Sequence, residues 1–221
     1  MRRLFSRVKN VLIKPKFDSR NYWESRYTRG GTSGSGSYGD LAHFKAKVIN
    51  EFVAQNGVTS VIEFGCGDGN QLKLAEYPKY IGLDVSATVI RRCISEFQDD
   101  KTKSFFLYLG DCFYDNDHTF YTDLSLSLDV IFHLVEQRIY EQYLKHLFAA
   151  AGKYVIIYCS NIDIPPARPD SHEYHRVFTK DVERLVSGWK LAGVIRNDYP
   201  SKGYADESGS LADFYIYEKL H

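Results

Sequence analysis

Val61-Ile-Glu-Phe-Gly-Cys-Gly-Asp-Gly-Asn70 decides the reading of this chain. An apolar strand runs into glycines at 65, 67 and 69, and a short helical stretch over 71–76 follows. Glycine tolerates the conformations a tight turn imposes and lets backbone approach a ligand. The N–H groups at the start of the next helix then face that ligand. Tyr80-Ile-Gly-Leu83 reads as a second strand ending at Asp84. A carboxylate there can accept both ribose hydroxyls of an adenosine-containing ligand.

The glycine spacing separates two ligand classes. A dinucleotide fingerprint is G-x-G-x-x-G, with a pyrophosphate at the helix N-terminus. Here the pattern is one residue tighter, Glu63 precedes the first glycine and Asp68 lies within the turn. Carboxylates repel a pyrophosphate but attract an ammonium or a sulfonium. The local charge favours a cationic adenosyl ligand over a nicotinamide dinucleotide.

Outward from this turn, the chain alternates short apolar strands with helices. After 61–64 and 80–83, a helix is expected over 87–97, strands over 104–109 and 124–128, a helix over 135–150 and a strand over 154–159. Repeated βα units call for a mostly parallel sheet with helices on both faces, an α/β fold. A helix over 179–186 then precedes strands over 189–196 and 213–218, which pair antiparallel if adjacent. No internal repeat interrupts the pattern.

Four segments, in order over roughly 59–219, resemble the motifs of class I S-adenosylmethionine-dependent methyltransferases. Val61 to Asn70 is similar to the family's first motif and Tyr80-Ile-Gly-Leu-Asp-Val-Ser86 to the next. Gly110-Asp-Cys-Phe113 resembles its acidic turn beside the adenine, and Thr122-Asp-Leu-Ser-Leu-Ser-Leu-Asp-Val-Ile-Phe-His133 its fourth-strand motif. The resemblance implies a seven-stranded Rossmann-like sheet with an antiparallel last strand, and S-adenosylmethionine as cofactor. It implies that Gly65, Gly67 and Gly69 shape the cofactor loop, that Glu63 and Asp68 lie near the methionine end, and that Asp84 holds the ribose. Val85 packs on the adenine, bordered by Asp111 and Cys112, while Leu128 and Asp129 line the transfer site. Cys66, Asn70, Ser86 and Phe113 complete the expected cofactor set, with plain small-residue packing the preferred role of the Cys66 and Cys112 thiols.

Methyl transfer from a sulfonium is an in-line displacement, in which the protein supplies alignment and a water-poor site. A hydroxyl acceptor gains from a base within hydrogen-bond reach. His133, at the mouth of the fourth strand, is the candidate base, with Asp129 beside it; the plainer reading has His133 merely opening the next helix. His175 and Arg176, after the Pro165-Pro-Ala-Arg-Pro169 loop, and Tyr38 are candidate acceptor contacts, against ordinary loop polarity. No resident metal is assigned. The metal-assisted alternative sets Mg²⁺ on Asp129, Asn161 and Asp163, although Ile162 interrupts the acid–amide pair of catechol-type enzymes.

The N-terminal part divides in two. Residues 1–20 form a basic extension in which Arg2, Arg3, Arg7, Lys9, Lys14, Lys16 and Arg20 interleave with Leu4, Phe5, Val8, Val11 and Leu12. Helical spacing of the apolar residues suits weak contact with an anionic membrane surface or, preferably, a solvated or docked terminal helix. Residues 21–58 are expected as a cap: an aromatic segment, a Gly/Ser loop over 30–39 and a helix capped by Asp40 with Leu41, Phe44, Val48, Ile49 and Phe52 on its buried stripe. The loop reads as a lid or as a passive surface loop. Residues 59–221 make up the catalytic domain.

Composition bounds the partners. The 221 residues include 28 Lys plus Arg and 28 Asp plus Glu, so nothing advertises a nucleic-acid surface, and no nucleic-acid partner is expected. At 44% hydrophobic the chain can bury a large core, which excludes global disorder. Four scattered cysteines form no zinc or disulfide pattern, and with no membrane span or leader the reading is cytoplasmic. The Tyr-Trp-Glu-Ser-Arg-Tyr27 segment and Ala212-Asp-Phe-Tyr-Ile-Tyr217 resemble small bacterial methyltransferases associated with surface-glycan pathways. That likeness implies O-methylation of a small-molecule or saccharide acceptor. Protein or RNA methylation, or a non-catalytic cofactor-binding subunit, stand as alternatives, and the oligomeric state is open.

Overall fold

Burial of both faces of the central strands builds the core. The computed structural model describes residues 17–201 and 208–220. Seven strands, β1 (Val61–Phe64), β2 (Tyr80–Asp84), β3 (Lys103–Leu107), β4 (Thr122–Leu128), β5 (Ala151–Cys159), β6 (Trp189–Ile195) and β7 (Asp213–Lys219), form one sheet in the order β3-β2-β1-β4-β5-β7-β6. The first five pair in parallel; β7 runs antiparallel between β5 and β6. Side chains alternate across a strand, so Ile62, Val155 and Ile157 join one apolar cluster while Val61, Ile156 and Tyr158 join the other.

Helices cover both faces. On one, α4 (Gln137–Ala149) and α5 (Phe178–Leu185) bury Tyr140, Leu144, Leu147, Phe178 and Val182. On the other, α2 (Gly39–Gln55) and α3 (Ala87–Glu96) bury Phe44, Ile49, Val53, Ile90 and Cys93. The expected α2 stripe is therefore part of the main core. The helix starts two residues earlier than expected, with Tyr38 at the cap position and Asp40 inside the first turn. There Asp40 complements the positive end of the helix dipole rather than capping it. The stretch over 71–76 is only a 3-10 turn, Gln71–Leu74.

Strand order reverses between β1 and β4, the point where open α/β sheets leave a crevice at the strands' carboxyl ends. A further helix, α1 (Ser19–Thr28), lies over that crevice. Asp18 caps it by accepting from the Asn21 N–H at 2.8 Å, and Glu136 accepts from the Ser19 N–H at 2.8 Å. The basic stretch over 1–16 lies outside the described residues. Among the described residues, no helix is long and apolar enough to cross a membrane.

Candidate active site

A cavity of about 250 Å³ opens at the carboxyl ends of β1 and β4. Its floor is the glycine turn. Gly65, Gly67 and Gly69 have φ of 87°, 57° and 77°, a region that side chains avoid. A Cβ at Gly65 would strike Val130, and one at Gly67 would strike Ser33. The glycines are thus required twice over, by conformation and by close packing.

Asp84 stands at the tip of β2, as the sequence reading expected. Its carboxylate accepts from the Gly67 N–H at 3.0 Å and the Ser86 N–H at 2.9 Å. Burial pushes its pKa up to about 6 against the pull of those N–H groups. Two oxygens offer about four acceptor sites, so capacity for a diol remains. Glu63 also lines the cavity, 4% exposed, and accepts from the Tyr80 hydroxyl at 2.6 Å. Burial pushes it up to about 7, while Tyr80 and the charge of Lys45 pull it down.

The rest of the expected cofactor set divides. Cys66, Val85, Asp111, Cys112 and Leu128 border the cavity with Glu63, Gly65, Gly67 and Asp84. Asp68, Gly69, Asn70, Ser86 and Phe113 stand behind it. Asp68 accepts from the Ser33 N–H at 2.8 Å and the Tyr38 hydroxyl at 2.9 Å, and the Asn70 amide donates to the Ser37 carbonyl at 2.7 Å. The Ser86 hydroxyl donates to Glu24, and Phe113 packs among Phe64, Tyr108 and Phe120. Asp68 and Asn70 therefore hold the Gly/Ser loop. Cys112 is exposed, which corrects the packing role preferred for it; Cys66 is buried as that role requires.

The Gly/Ser loop is docked. Besides its bonds to Asp68 and Asn70, Ser33 Oγ accepts from the Asp68 N–H at 2.8 Å and lies 3.0 Å from the Tyr27 hydroxyl. Helix α1 is fixed through Glu24, which accepts from the Ser86 and Thr88 hydroxyls at 2.6 Å each; these bonds lower its pKa to about 2. Trp23, Tyr27, Ser33 and Ser37 thereby roof the cavity.

At the far wall, β4 ends in Asp129 with φ of 57°. Lys45, 1% exposed, donates to its Oδ2 at 2.6 Å. Composition gave no hint of this lysine's role, but its position did: it lies one helical turn from both Leu41 and Ile49, on the stripe that faces inward. His133 lines the cavity from the 3-10 turn Ile131–His133, ahead of α4. Burial pushes its pKa down to about 4, so the ring is neutral near pH 7. Its Nδ1 lies 3.1 Å from the His172 carbonyl, an acceptor, so Nδ1 carries the proton and Nε2 keeps the lone pair. Such a ring is always unprotonated at neutral pH, yet only a weak base.

The three proposed acceptor contacts are elsewhere. His175 Nδ1 lies 2.6 Å from Ser160 Oγ, and the Arg176 guanidinium sits 4.4 Å from the Tyr140 ring and 3.8 Å from the Tyr174 ring while donating to the Leu134 and Val135 carbonyls. Both are buried, and with Tyr38 they stand outside the cavity lining. The Mg²⁺ alternative is not assembled: Asp129 pairs with Lys45, and the Asn161 amide donates to the Thr179 hydroxyl at 3.0 Å. Phe214, Tyr215 and Tyr217 are core residues of β7.

No protein-family model and no curated protein matches the chain. Solved structures do. The methyltransferase domain of a bacterial Hen1 is 21% identical, covering 82% of this chain and 100% of that one, with a TM-score of 0.60. Magnesium protoporphyrin IX methyltransferase from Synechocystis, with S-adenosylhomocysteine bound, is 14% identical over 90% of this chain and 97% of its own, at 0.62. The N-methyltransferase NodS from Bradyrhizobium japonicum, in complex with the same product, is 13% identical over 81% and 86%, at 0.60. The seven-stranded sheet with its inserted antiparallel strand is the Rossmann-like fold of S-adenosylmethionine-dependent methyltransferases.

Proposed function

We propose that this protein is an S-adenosylmethionine-dependent methyltransferase acting on an oxygen of a small-molecule or saccharide acceptor. The observation that carries the reading is the pairing of two buried carboxyls, Glu63 and Asp84, on one cavity at the sheet's switch point. A sulfonium cofactor supplies an already activated methyl group, so little chemistry is asked of the protein. Asp84 is suited to the ribose hydroxyls and Val85 with Asp111 to the adenine. Glu63 is suited to the positive end of the ligand, where it would ionise.

The chain's remaining task is alignment and exclusion of water. Lys45 neutralises Asp129, so the transfer side carries no unbalanced charge toward the acceptor. His133 presents its unprotonated Nε2 there. At about 250 Å³ the cavity is smaller than the roughly 300–1,000 Å³ of most ligand pockets, and lifting of the α1–loop roof would enlarge it for a ligand. That is the lid reading of the Gly/Ser loop.

The neighbours' names span RNA, porphyrin and N-methylation, so the acceptor is not inherited from the fold. The oxygen acceptor rests on the histidine, and the saccharide class and surface-glycan setting rest on sequence likeness. Four free thiols accord with a reducing, cytoplasmic setting. The test is transfer of label from methyl-labelled cofactor to a panel of glycans, nucleotide sugars, RNA and protein. Label in saccharide or small-molecule oxygen is expected; label only in RNA or protein overturns the acceptor class.

A further inference from the structure

The loop after β5 brings a second cluster against the transfer wall. One ring nitrogen each of His133 and His172 and a carboxylate oxygen of Glu173 lie within 4.8 Å of one another. Among the described residues this is the grouping of three or more His, Cys, Asp or Glu side chains with metal-ligand spacing. We propose that His133, His172 and Glu173 bind a divalent transition-metal ion at the acceptor end of the cavity.

Three features of the geometry support it. Ligating histidines characteristically donate their other ring N–H to a carbonyl or carboxylate, which fixes the ring and raises its basicity. The His133 Nδ1–H meets the His172 carbonyl at 3.1 Å, so Nε2 keeps its lone pair. Secondly, His172 Nε2 and Glu173 Oε1 are 3.4 Å apart. Atoms bound to one ion at about 2.0–2.1 Å stand on the order of 3–3.5 Å from each other, so His133 and the exposed pair must close by about an ångström, and the His133 and His172 rings, stacked at 5.6 Å and 12°, must turn to aim their lone pairs at one ion. Finally, aromatic rings wall the cluster: Trp23 meets His133 edge-on at 4.9 Å, and Tyr22 stacks on His172 at 4.9 Å.

Two imidazoles and one carboxylate suit zinc, iron, cobalt or nickel better than calcium or magnesium. Three protein ligands leave coordination positions open, and of the three His133 lines the cavity. An acceptor hydroxyl held there would be oriented and made more acidic, with its proton passing to water. This role in catalysis rests on the methyltransferase reading; the binding of the ion does not. With its lone pair on the ion His133 would not be the base, and the ion would take over activation of an oxygen acceptor.

The test is titration of the tag-free, chelator-treated full chain with Co²⁺, followed by visible absorption and calorimetry, with Zn²⁺ as competitor. One equivalent is expected, displaced by Zn²⁺. His172→Ala and Glu173→Gln change side chains that are 42% and 41% exposed, so neither threatens the fold. Each is expected to weaken Co²⁺ binding roughly tenfold or more. Wild-type binding no tighter than that of the double variant overturns the proposal. S-adenosylhomocysteine binding is measured on the same samples: its loss with Co²⁺ binding intact would count against the cofactor, not the ion.

Discussion

Glu63→Gln is the perturbation whose effect can be worked furthest. The carboxyl is buried beneath the glycine turn, bonded to Tyr80 at 2.6 Å, and its pKa rises from 4.5 to about 7. Below pH 4.5 it is protonated whether the chain is folded or not. Between 4.5 and 7 the folded chain keeps a proton that the unfolded chain has lost, so folding stability falls as pH rises. Above 7 both states are ionised and the full cost is present. At 1.36 kcal/mol per tenfold change in proton affinity, that cost is about 3 kcal/mol. Glutamine keeps an acceptor for the Tyr80 hydroxyl without the charge. Urea unfolding of both proteins at pH 5 and pH 8 should show the variant's advantage growing by about 2–3 kcal/mol over that range. Asp84 titrates in both proteins and, because its charge is one of the causes raising Glu63, cancels only in part. An advantage that does not change with pH would refute the assignment of a buried, strained carboxyl to Glu63.

Other perturbations separate framework from site. Lys45→Met leaves Asp129 without its partner and should cost about 2–4 kcal/mol by urea unfolding, with Lys45→Met/Asp129→Asn recovering most of it; no recovery would mean that the pair is not the source. Arg176→Met removes two carbonyl bonds and a ring sandwich and should lower stability by about 2–4 kcal/mol while leaving calorimetric product affinity within a factor of two or so for the folded fraction. A selective loss of affinity would return Arg176 to the site. Asp84→Asn should weaken S-adenosylhomocysteine by roughly a hundredfold, about the 2–3 kcal/mol of a charge-assisted hydrogen bond to ribose. Equal affinity would remove Asp84 from the ribose position.

The legible part of the fold was the part governed by period and punctuation. The Val61–Phe64 and Tyr80–Asp84 strands, the glycine turn between them and the late antiparallel pair followed from local residues alone. Asp84 was legible for the same reason, because a strand end fixes where its side chain points. The partners that local sequence does not name are tertiary. Asp68 and Asn70 are on the expected motif, but the Gly/Ser loop folds down and takes their hydrogen bonds. Arg176 looked like a loop cation, yet Tyr140 and Tyr174, distant and adjacent in sequence, enclose it. Lys45 is the reverse case: a charge on an apolar stripe signals a buried partner, but nothing local names Asp129, which lies 84 residues away. The His172–Glu173 step meets His133 only because β4 and β5 are neighbours in the sheet.

Calorimetric titration of the purified chain with S-adenosylhomocysteine, repeated in buffers of different ionisation enthalpy near pH 7, tests the central claim most directly. The account predicts one site per chain and release of part of a proton on binding, as Glu63 ionises beside the ligand's ammonium. No heat and no thermal shift with either this product or S-adenosylmethionine would contradict it.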